Sequence, residues 1–231
     1  MLMPAEKHQI KLFIIYISIS IAVFTCLTFI HSYITQNHIQ LVNFFVPISA
    51  SAVVGFLLAR NKILQYELKT LANTDKLTSA CNRQYFDLRL KEESLLSKRY
   101  QQTFSIIFFD LDLFKKINDN YGHAVGDQVL VEFSAIIKKM NRDTDLFARY
   151  GGEEFVLLAR MADKNTAKEI YLRIKKTIRR HTFGKAGHIT FSAGIAQFDF
   201  NDDSVESIMK RADKALYEAK ANGRNQSVIA E

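Results

Sequence analysis

Residues 146–160, LFARYGGEEFVLLAR, decide how this chain is read. Two runs rich in apolar, β-branched and aromatic residues flank a Gly-Gly pair, the local chemistry of a β-hairpin with a tight turn. Glycine tolerates positive φ, and with no side chain it leaves room for a large ligand against the backbone. Two carboxylates, Glu153 and Glu154, follow the bend at once. Open space followed by paired negative charge suits a divalent metal and a phosphorylated substrate. Gly-Gly turns followed by acids also occur on plain solvated hairpins, so the rest of the chain must choose between the two.

The hairpin sits in a region, residues 73–231, with the composition of an ordinary globular α/β domain. Residues 82–102 interleave charged and apolar side chains and predict a helix. Residues 104–109, FSIIFF, are a short apolar run that predicts a buried strand. A short helix is expected from 114 to 118 and a longer amphipathic one from 127 to 140. Beyond the hairpin, the pattern predicts a basic amphipathic helix at 165–181 and a strand at 188–198. A further helix at 204–221 is closed by Gly223 and a short terminal strand. Strands alternating with helices around one hairpin predict an α/β (α+β) fold whose sheet is antiparallel at its centre. There is no internal repeat and no low-complexity segment.

Phe109, Asp110, Leu111 and Asp112 fall where the first buried strand ends. Strand ends in open α/β sheets bind polar ligands because the strand holds the side chain rigidly. A carboxylate there and another at a neighbouring hairpin turn could converge on a hard cation such as Mg²⁺, which prefers oxygen ligands and shares them with substrate phosphates. Asp110 is the candidate for that role. Asp112 is expected instead to cap the helix that follows.

The chain has 231 residues and a formal charge of +7, and all but two of its basic and one of its acidic residues lie from Arg60 onward. That mild excess fits polyphosphate ligands or an anionic membrane, and equally no special partner. With no Lys/Arg block and no Trp, nucleic acid is not an expected partner. Cys26 and Cys81 have no metal-ligand spacing. One lies in the apolar N-terminal region and the other in a polar loop, so free thiols in a reducing compartment are expected.

Between residues 12 and 59 there is no Asp, Glu, Lys or Arg. Residues 12–30 and 41–59 are each long enough, at 1.5 Å per residue, to span the roughly 30 Å hydrocarbon core as helices. A cleaved signal peptide is the rival for the first, weakened by its length and by the second span that follows. Pro47 is tolerable in a bilayer helix. Lys7 and Lys11 precede the first span, Arg60, Lys62 and Lys69 follow the second, and the connector between them has neither Lys nor Arg. The positive-inside bias then puts both termini in the cytoplasm of a multi-pass inner-membrane protein in contact with lipid. Residues 1–59 are thus a tail and membrane hairpin, 60–72 a helical coupler, and 73–231 the globular domain. Leu57, Asn61, Leu64, Leu68 and Leu71 recur at four- and three-residue steps. They form either a short parallel coiled coil or one face of a helix packed on its own domain.

FDLDLFKKINDNYGHAVGD (109–127), RDTDLFARYGGEEF (142–155) and ADKALYEAKANGRN (212–225), in that order, resemble a GGDEF domain, the diguanylate cyclase family. DKLTSACNR (75–83) resembles the opening signature of that domain. The resemblance extends over 73–228. It implies a fold like the palm of nucleotide cyclases and polymerases, a central, mostly antiparallel sheet wrapped by helices. It also implies condensation of two GTP into cyclic di-GMP with release of two pyrophosphates, at the interface of a homodimer in which each protomer holds one GTP.

By that resemblance Asp110, the backbone carbonyl of Leu111, and Glu153 bind Mg²⁺, with Mn²⁺ as a substitute, and Glu154 assists near the attacking ribose hydroxyl as base or metal aid. Backbone amides of Leu113, Phe114 and Lys115 hold terminal phosphates together with Lys220 and Arg224. The last two also suit a plain role as charges complementing a helix C-terminus. Asn118 and Asp127 read guanine, and Gly151 and Gly152 give base and sugar their space. Arg142 and Asp145 match the family's R-x-x-D site, where cyclic di-GMP binds as product and inhibitor. The signature reads GGEEF, Lys76 and Ser79 stand where Pro and Gly are usual, and Leu113 where an aromatic or His is common; none of these removes a catalytic atom. A membrane-bound cyclic di-GMP receptor without activity is the rival reading, opposed by the intact acids at 110, 153 and 154. An enzyme making a mixed guanine–adenine product is a third, opposed by Asp127.

Overall fold

The computed structural model describes residues 15, 18–19, 21–30, 33, 42–201 and 204–230. The chain divides into two compact units, Met1–Ala72 and Asn73–Glu231. In the first, residues 21–30 are helical and helix α1 (Val42–Asn73) runs unbroken for 32 residues. Among its described residues, Ser51, Gly55 and Ala59, spaced four apart and so on one face, are buried, whereas Val53, Val54, Phe56, Leu57 and Leu58 are exposed. Among the described residues no helix is long and apolar enough to cross a membrane. The expected spans at 12–30 and 41–59 rest partly on residues outside that set, and their connector lies almost wholly outside it. Of the expected seam, Leu57, Asn61 and Leu64 are exposed, while the side chains of Leu68 and Leu71 fall outside the described residues.

The second unit is built on β2 (Phe104–Leu111), every residue of which is buried. Neighbours along a strand face opposite sides. Ile107, Phe109 and Leu111 therefore enter one core, and Phe104, Ile106 and Phe108 the other. Burial on both faces explains why the sequence here is a continuous apolar run instead of an alternation. β2 pairs antiparallel with β4 (Glu154–Arg160) on one side and with β5 (Phe191–Gln197) on the other. β3 (Leu146–Gly151) pairs antiparallel with β4. Two short edge strands, β1 (Cys81–Asn82) and β6 (Ser227–Ile229), run parallel to β3 and β5 and complete the order β1-β3-β4-β2-β5-β6. The fold is the mixed α/β arrangement with an antiparallel centre that the sequence predicts.

Helices cover both faces. Phe133 and Ile137 of α4 (His123–Met140) pack with Tyr171 and Ile174 of α5 (Lys164–Arg180) into the first core. Phe86 and Leu90 of α2 (Arg83–Tyr100) pack with Ile208, Ala212 and Leu216 of α6 (Val205–Ala221) into the second. Three of these helices start on side-chain caps: Asn82 accepts from the Tyr85 N–H, Asp163 from Thr166 and Ser204 from Ser207. A short helix α3 (Phe114–Tyr121) leads into α4 through Gly122 at φ 84°.

The structure departs from the sequence reading at several boundaries. β2 continues past the apolar run through Asp110 and Leu111, because main-chain pairing to β4 and β5 persists where the side chains turn polar. Cys81 is not in a loop but in β1, half-buried opposite Ala148, a pairing too short to leave a periodic signal. α3 runs on to Tyr121 and α4 starts at His123, so the gap expected between them is one glycine wide. β5 starts at Phe191, after a 3-10 turn at Gly184–Ala186 that the sequence did not show.

α6 lies directly on β5 at Gly194, where an added Cβ would sit 1.9 Å from the Ala212 carbonyl oxygen and 2.4 Å from the Leu216 nitrogen. Backbone cannot yield as a flexible side chain can, so Gly194→Ala should destabilise the second unit by at least ~2 kcal/mol, within the range of overpacked cores. Urea unfolding measures this; a midpoint matching the parent would refute the close seating of α6.

Candidate active site

Asp110 lies near the end of β2, directly opposite Glu154 on β4. Opposed residues of an antiparallel pair share a face, and like charges placed there work against folding. Phe109 and Leu111 enter the first core, so Asp110 faces the side that α6 covers. There Lys220, one turn beyond the buried Leu216, brings its Nζ within 2.8 Å of Asp110 Oδ2. The glycine at 194 is what lets α6 approach closely enough for this pair. Around it the Leu111 N–H donates to the Glu153 carbonyl oxygen at 3.4 Å, which fastens the turn acids to the end of β2.

Burial pushes the Asp110 carboxyl above its ordinary range; Glu153 and Asp112 push the same way and Lys220 opposes them. The Glu154 carboxyl is also raised, by burial first and then by Asp110, with Asp213 and Glu153 adding to it against Lys220. The cluster is short of positive charge. Among the described residues no three His, Cys, Asp or Glu side chains gather into a complete metal cage. Mg²⁺ does not require one, because it binds through one or two carboxylates and completes its shell with water and substrate phosphate. The carboxylates of Asp110 and Glu153 and the Leu111 carbonyl are hard oxygen donors, and a divalent cation would hold ionised an Asp110 carboxyl that burial first, and Glu153 and Asp112 next, push upward. The residues fit the ion.

The Gly-Gly turn is braced from a direction the sequence did not show. Register shifts between Arg149 and Gly151, and Gly152 takes φ 45°. Arg149 Nε donates to the Gly152 carbonyl at 2.9 Å, and its Nη1 lies 3.2 Å from Asp75 Oδ1. Asp75 also accepts from the Thr78 N–H and hydroxyl at 2.8 and 2.7 Å. Burial alone would raise the Asp75 carboxyl, but the Thr78 and Arg149 hydrogen bonds outweigh it and hold it below the usual range. Asp75 stood out in the sequence only as part of an opening signature. Its partner is 74 residues away.

Asn118 on α3 lies against α4 at Gly126, the residue before Asp127. Gly126 makes the crossing close, since an added Cβ would fall 1.9 Å from Asn118 Oδ1 and 3.1 Å from the Phe114 ring. At the start of α3, Leu113 has φ 57° and no side chain caps the helix, which leaves the first amides free for an anionic ligand. Arg224, exposed beyond Gly223, lies in the turn after α6 with φ 64°.

Asp112 corrects an expectation. It does not cap α3, whose N-cap position is Leu113. The Asp112 N–H donates to the Thr190 carbonyl at 2.9 Å, drawing the residue toward the chain entering β5. Its carboxylate accepts from Thr190 Oγ1 and Ser192 Oγ, both at 2.7 Å, and from the Asn225 N–H at 2.9 Å.

Arg142 and Asp145 occupy the turn between α4 and β3, Arg142 exposed and Asp145 partly buried. The Asp145 N–H donates to the Arg142 carbonyl at 3.1 Å, and Asp145 Oδ1 accepts from the Arg160 N–H at 3.2 Å. Gly151 is at the other end of β3, about 20 Å away at ~3.3 Å per residue. These two residues therefore form a second locus, apart from the Asp110 cluster.

The raised Glu154 carboxyl has a consequence for stability. A carboxyl with a folded pKa above its unfolded value penalises the folded state once ionised, and the penalty vanishes below the unfolded pKa. Glu154→Gln should therefore melt above the parent near pH 8 in the absence of divalent metal, with the gap narrowing as pH falls and closing only below 4.5, the ordinary glutamate value. Melting curves across that window measure it, and a gap that widens on acidification would contradict the assigned shift.

Residues 72–226 match the family described as diguanylate cyclase, GGDEF domain. The chain is 36% identical over 220 residues to diguanylate cyclase A of Treponema denticola, covering 81% of this chain and 59% of that protein. The GGDEF domain of DgcB from Caulobacter crescentus, solved in complex with c-di-GMP, superposes with a TM-score of 0.65 at 34% identity, over 69% of this chain and 94% of that one. The active GGEEF domain of a diguanylate cyclase from Vibrio cholerae gives 0.62 at 34% identity, over 65% and 97%. The chain spans about half the length of the curated relatives it matches. With its sheet order, its acids opposed at the end of β2 and its Gly-Gly turn inside the matched region, the chain belongs to the GGDEF diguanylate cyclase domain family.

Proposed function

We propose that this chain is an Mg²⁺-dependent diguanylate cyclase that condenses two GTP into cyclic di-GMP at the interface of a homodimer. The observation that carries the reading is the opposition of Asp110 and Glu154 beside Lys220 and the Gly-Gly turn. Two acids facing each other in a partly buried site oppose folding, and a catalytic role accounts for their presence. Asp110, Glu153 and the Leu111 carbonyl are the metal ligands. A divalent cation held there would supply charge neutralisation for a triphosphate and would ease ionisation of a ribose 3′-hydroxyl.

The chain's own groups do the rest. Lys220, Arg224 and the amides of Leu113, Phe114 and Lys115 hold the terminal phosphates. Asp127 accepts from guanine N1–H and the exocyclic amino group, donors that adenine does not present together, and Asn118 supports it from α3. Gly151 and Gly152 give the base and sugar clear backbone to lie against. Glu154, its carboxyl raised above the ordinary range by burial and by Asp110, is the base or metal aid for the hydroxyl proton as the oxygen attacks the α-phosphate held by the facing protomer. Pyrophosphate leaves in line with that attack, and a second attack closes the ring. Each protomer brings one GTP, so one domain alone cannot complete the reaction. Arg142 and Asp145, remote from the chemistry, bind the product and restrain the dimer.

The N-terminal unit is an inner-membrane anchor of two spans, 12–30 and 41–59, in contact with lipid and with both termini and the catalytic domain in the cytoplasm. Support comes from the absence of ionised side chains across 12–59 and from the flanking Lys and Arg. The pattern on α1, small residues buried and Val, Phe and Leu exposed, is that of helices packing closely inside lipid.

Purified protein supplied with GTP and Mg²⁺ should release two pyrophosphates for each cyclic di-GMP, and mass spectrometry should find no mixed guanine–adenine product. Glu153→Ala should lower turnover by ~100-fold or more, the order expected when a metal ligand worth several kcal/mol is lost. No pyrophosphate from the parent, with the variant indistinguishable from it, would overturn the enzymatic reading and leave a cyclic di-GMP receptor. Arg142→Ala should lose inhibition by added cyclic di-GMP, read as the ratio of rates with and without it; an unchanged ratio would remove product control from this turn.

A further inference from the structure

We propose that Asp112 is a positioning residue for triphosphate binding: its carboxylate fastens the strand that carries Asp110 to the turn that presents Arg224. The inference rests on Arg224 contacting the terminal phosphates and goes beyond it by naming what holds that arginine in place. Asp112 is buried, with 6% of its surface exposed, and is two residues beyond Asp110. A buried carboxylate needs several donors, and it has three. Thr190 Oγ1 and Ser192 Oγ come from the neighbouring chain at the start of β5, and Ser192 is itself the register partner of Asp110. The third donor, the Asn225 main-chain N–H at 2.9 Å, belongs to the residue immediately after Arg224 and is 113 residues away in sequence.

The turn at 222–226 is strained without such a hold. Gly223, Arg224 and Asn225 have φ of 105°, 64° and 48°, the last two without glycine's freedom. Consecutive non-glycine residues in the left-handed region persist only where the surroundings over-determine them. Here the Arg224 N–H donates to the Ala219 carbonyl at 3.0 Å, and Gln226 Nε2 to the Asn222 carbonyl at 2.6 Å. Lys175 Nζ donates to the Asn225 carbonyl, and Lys168 Nζ to Ser227 Oγ at 2.7 Å. These contacts tie the turn to α6 and α5. The Ala193 N–H donates to the Gln226 carbonyl at 2.9 Å and ties the end of the turn to β5, while Asp112 ties Asn225, next to Arg224, to the end of β2 and so holds Arg224 relative to Asp110 and the Leu111 carbonyl. A guanidinium binds phosphate through a fixed planar fork, so a small displacement of its backbone forfeits the geometry.

The test measures equilibrium binding to the full chain of 3′-deoxy-GTP, which cannot turn over, and of GMP, which lacks the terminal phosphates. Asp112→Ala should weaken 3′-deoxy-GTP about tenfold, as expected when a hydrogen bond to a charged group is lost, and leave GMP unchanged. In an Arg224→Ala background the same substitution should add nothing. Asp112→Asn should restore affinity, because its amide oxygen still accepts from the Asn225 N–H. If Asp112→Ala does not fold, Asp112→Ser takes its place, polar but too short to reach that amide. Equal loss for both nucleotides, no loss, or additive loss with Arg224→Ala would overturn the proposal. Unchanged 3′-deoxy-GTP binding in Arg224→Ala itself would instead refute the phosphate role of Arg224, and the proposal with it.

Discussion

The contact between Lys220 Nζ and Asp110 Oδ2, at 2.8 Å, is the interaction on which the site depends. It joins the last turn of one helix to the end of the central strand, and it forms only because α6 seats its backbone on Gly194. Without that ammonium, Asp110 and Glu154 would face each other in a half-buried space with nothing to offset their repulsion. Both carboxyls are raised, by burial first, with Lys220 opposing the shift in each. A protein selected for stability alone would place neutral residues here; the proposed cation is what would relieve the crowding of acids.

Rigidity around these acids comes from three directions. β2 is buried on both faces, which fixes Asp110 and the Leu111 carbonyl. Arg149, itself held by Asp75, grips the Gly152 carbonyl and keeps the open turn from collapsing. Asp112 binds the far side of the same strand to β5 and to the turn after α6. The layout sets the side-chain-free glycine turn inside a rigid frame, which suits the nucleotide site proposed above. Arg142 and Asp145 lie at the other end of β3, apart from that frame.

Much of this was legible from residue types alone. An apolar run ending in an acid predicts a buried strand whose tip carries chemistry, and Asp110 is there. Gly-Gly followed by two acids predicts a hairpin with space and charge at its bend, and the structure places Glu154 opposite Asp110. What stayed hidden depends on segments far apart in the chain. Asp112 looked like a helix cap because its neighbours in sequence start a helix; its real partners are Thr190, Ser192 and Asn225. Arg149 read as one more strand residue, and its grip on Gly152 follows from Asp75 in a different segment. Gly126 and Gly194 carried no local signal, since each serves the close approach of another helix and not its own backbone conformation. β1, two residues long, is too brief for any periodicity.

Whether oxygens from β2 and from the hairpin meet around one divalent ion is read most directly by anomalous diffraction from crystals grown with Mn²⁺ and a GTP analogue that cannot react. A peak is expected at coordination distance from the carboxylates of Asp110 and Glu153 and from the Leu111 carbonyl, with nucleotide phosphate beside it. A peak bound elsewhere, or one that touches Asp110 but leaves Glu153 out of reach, would contradict that shared site.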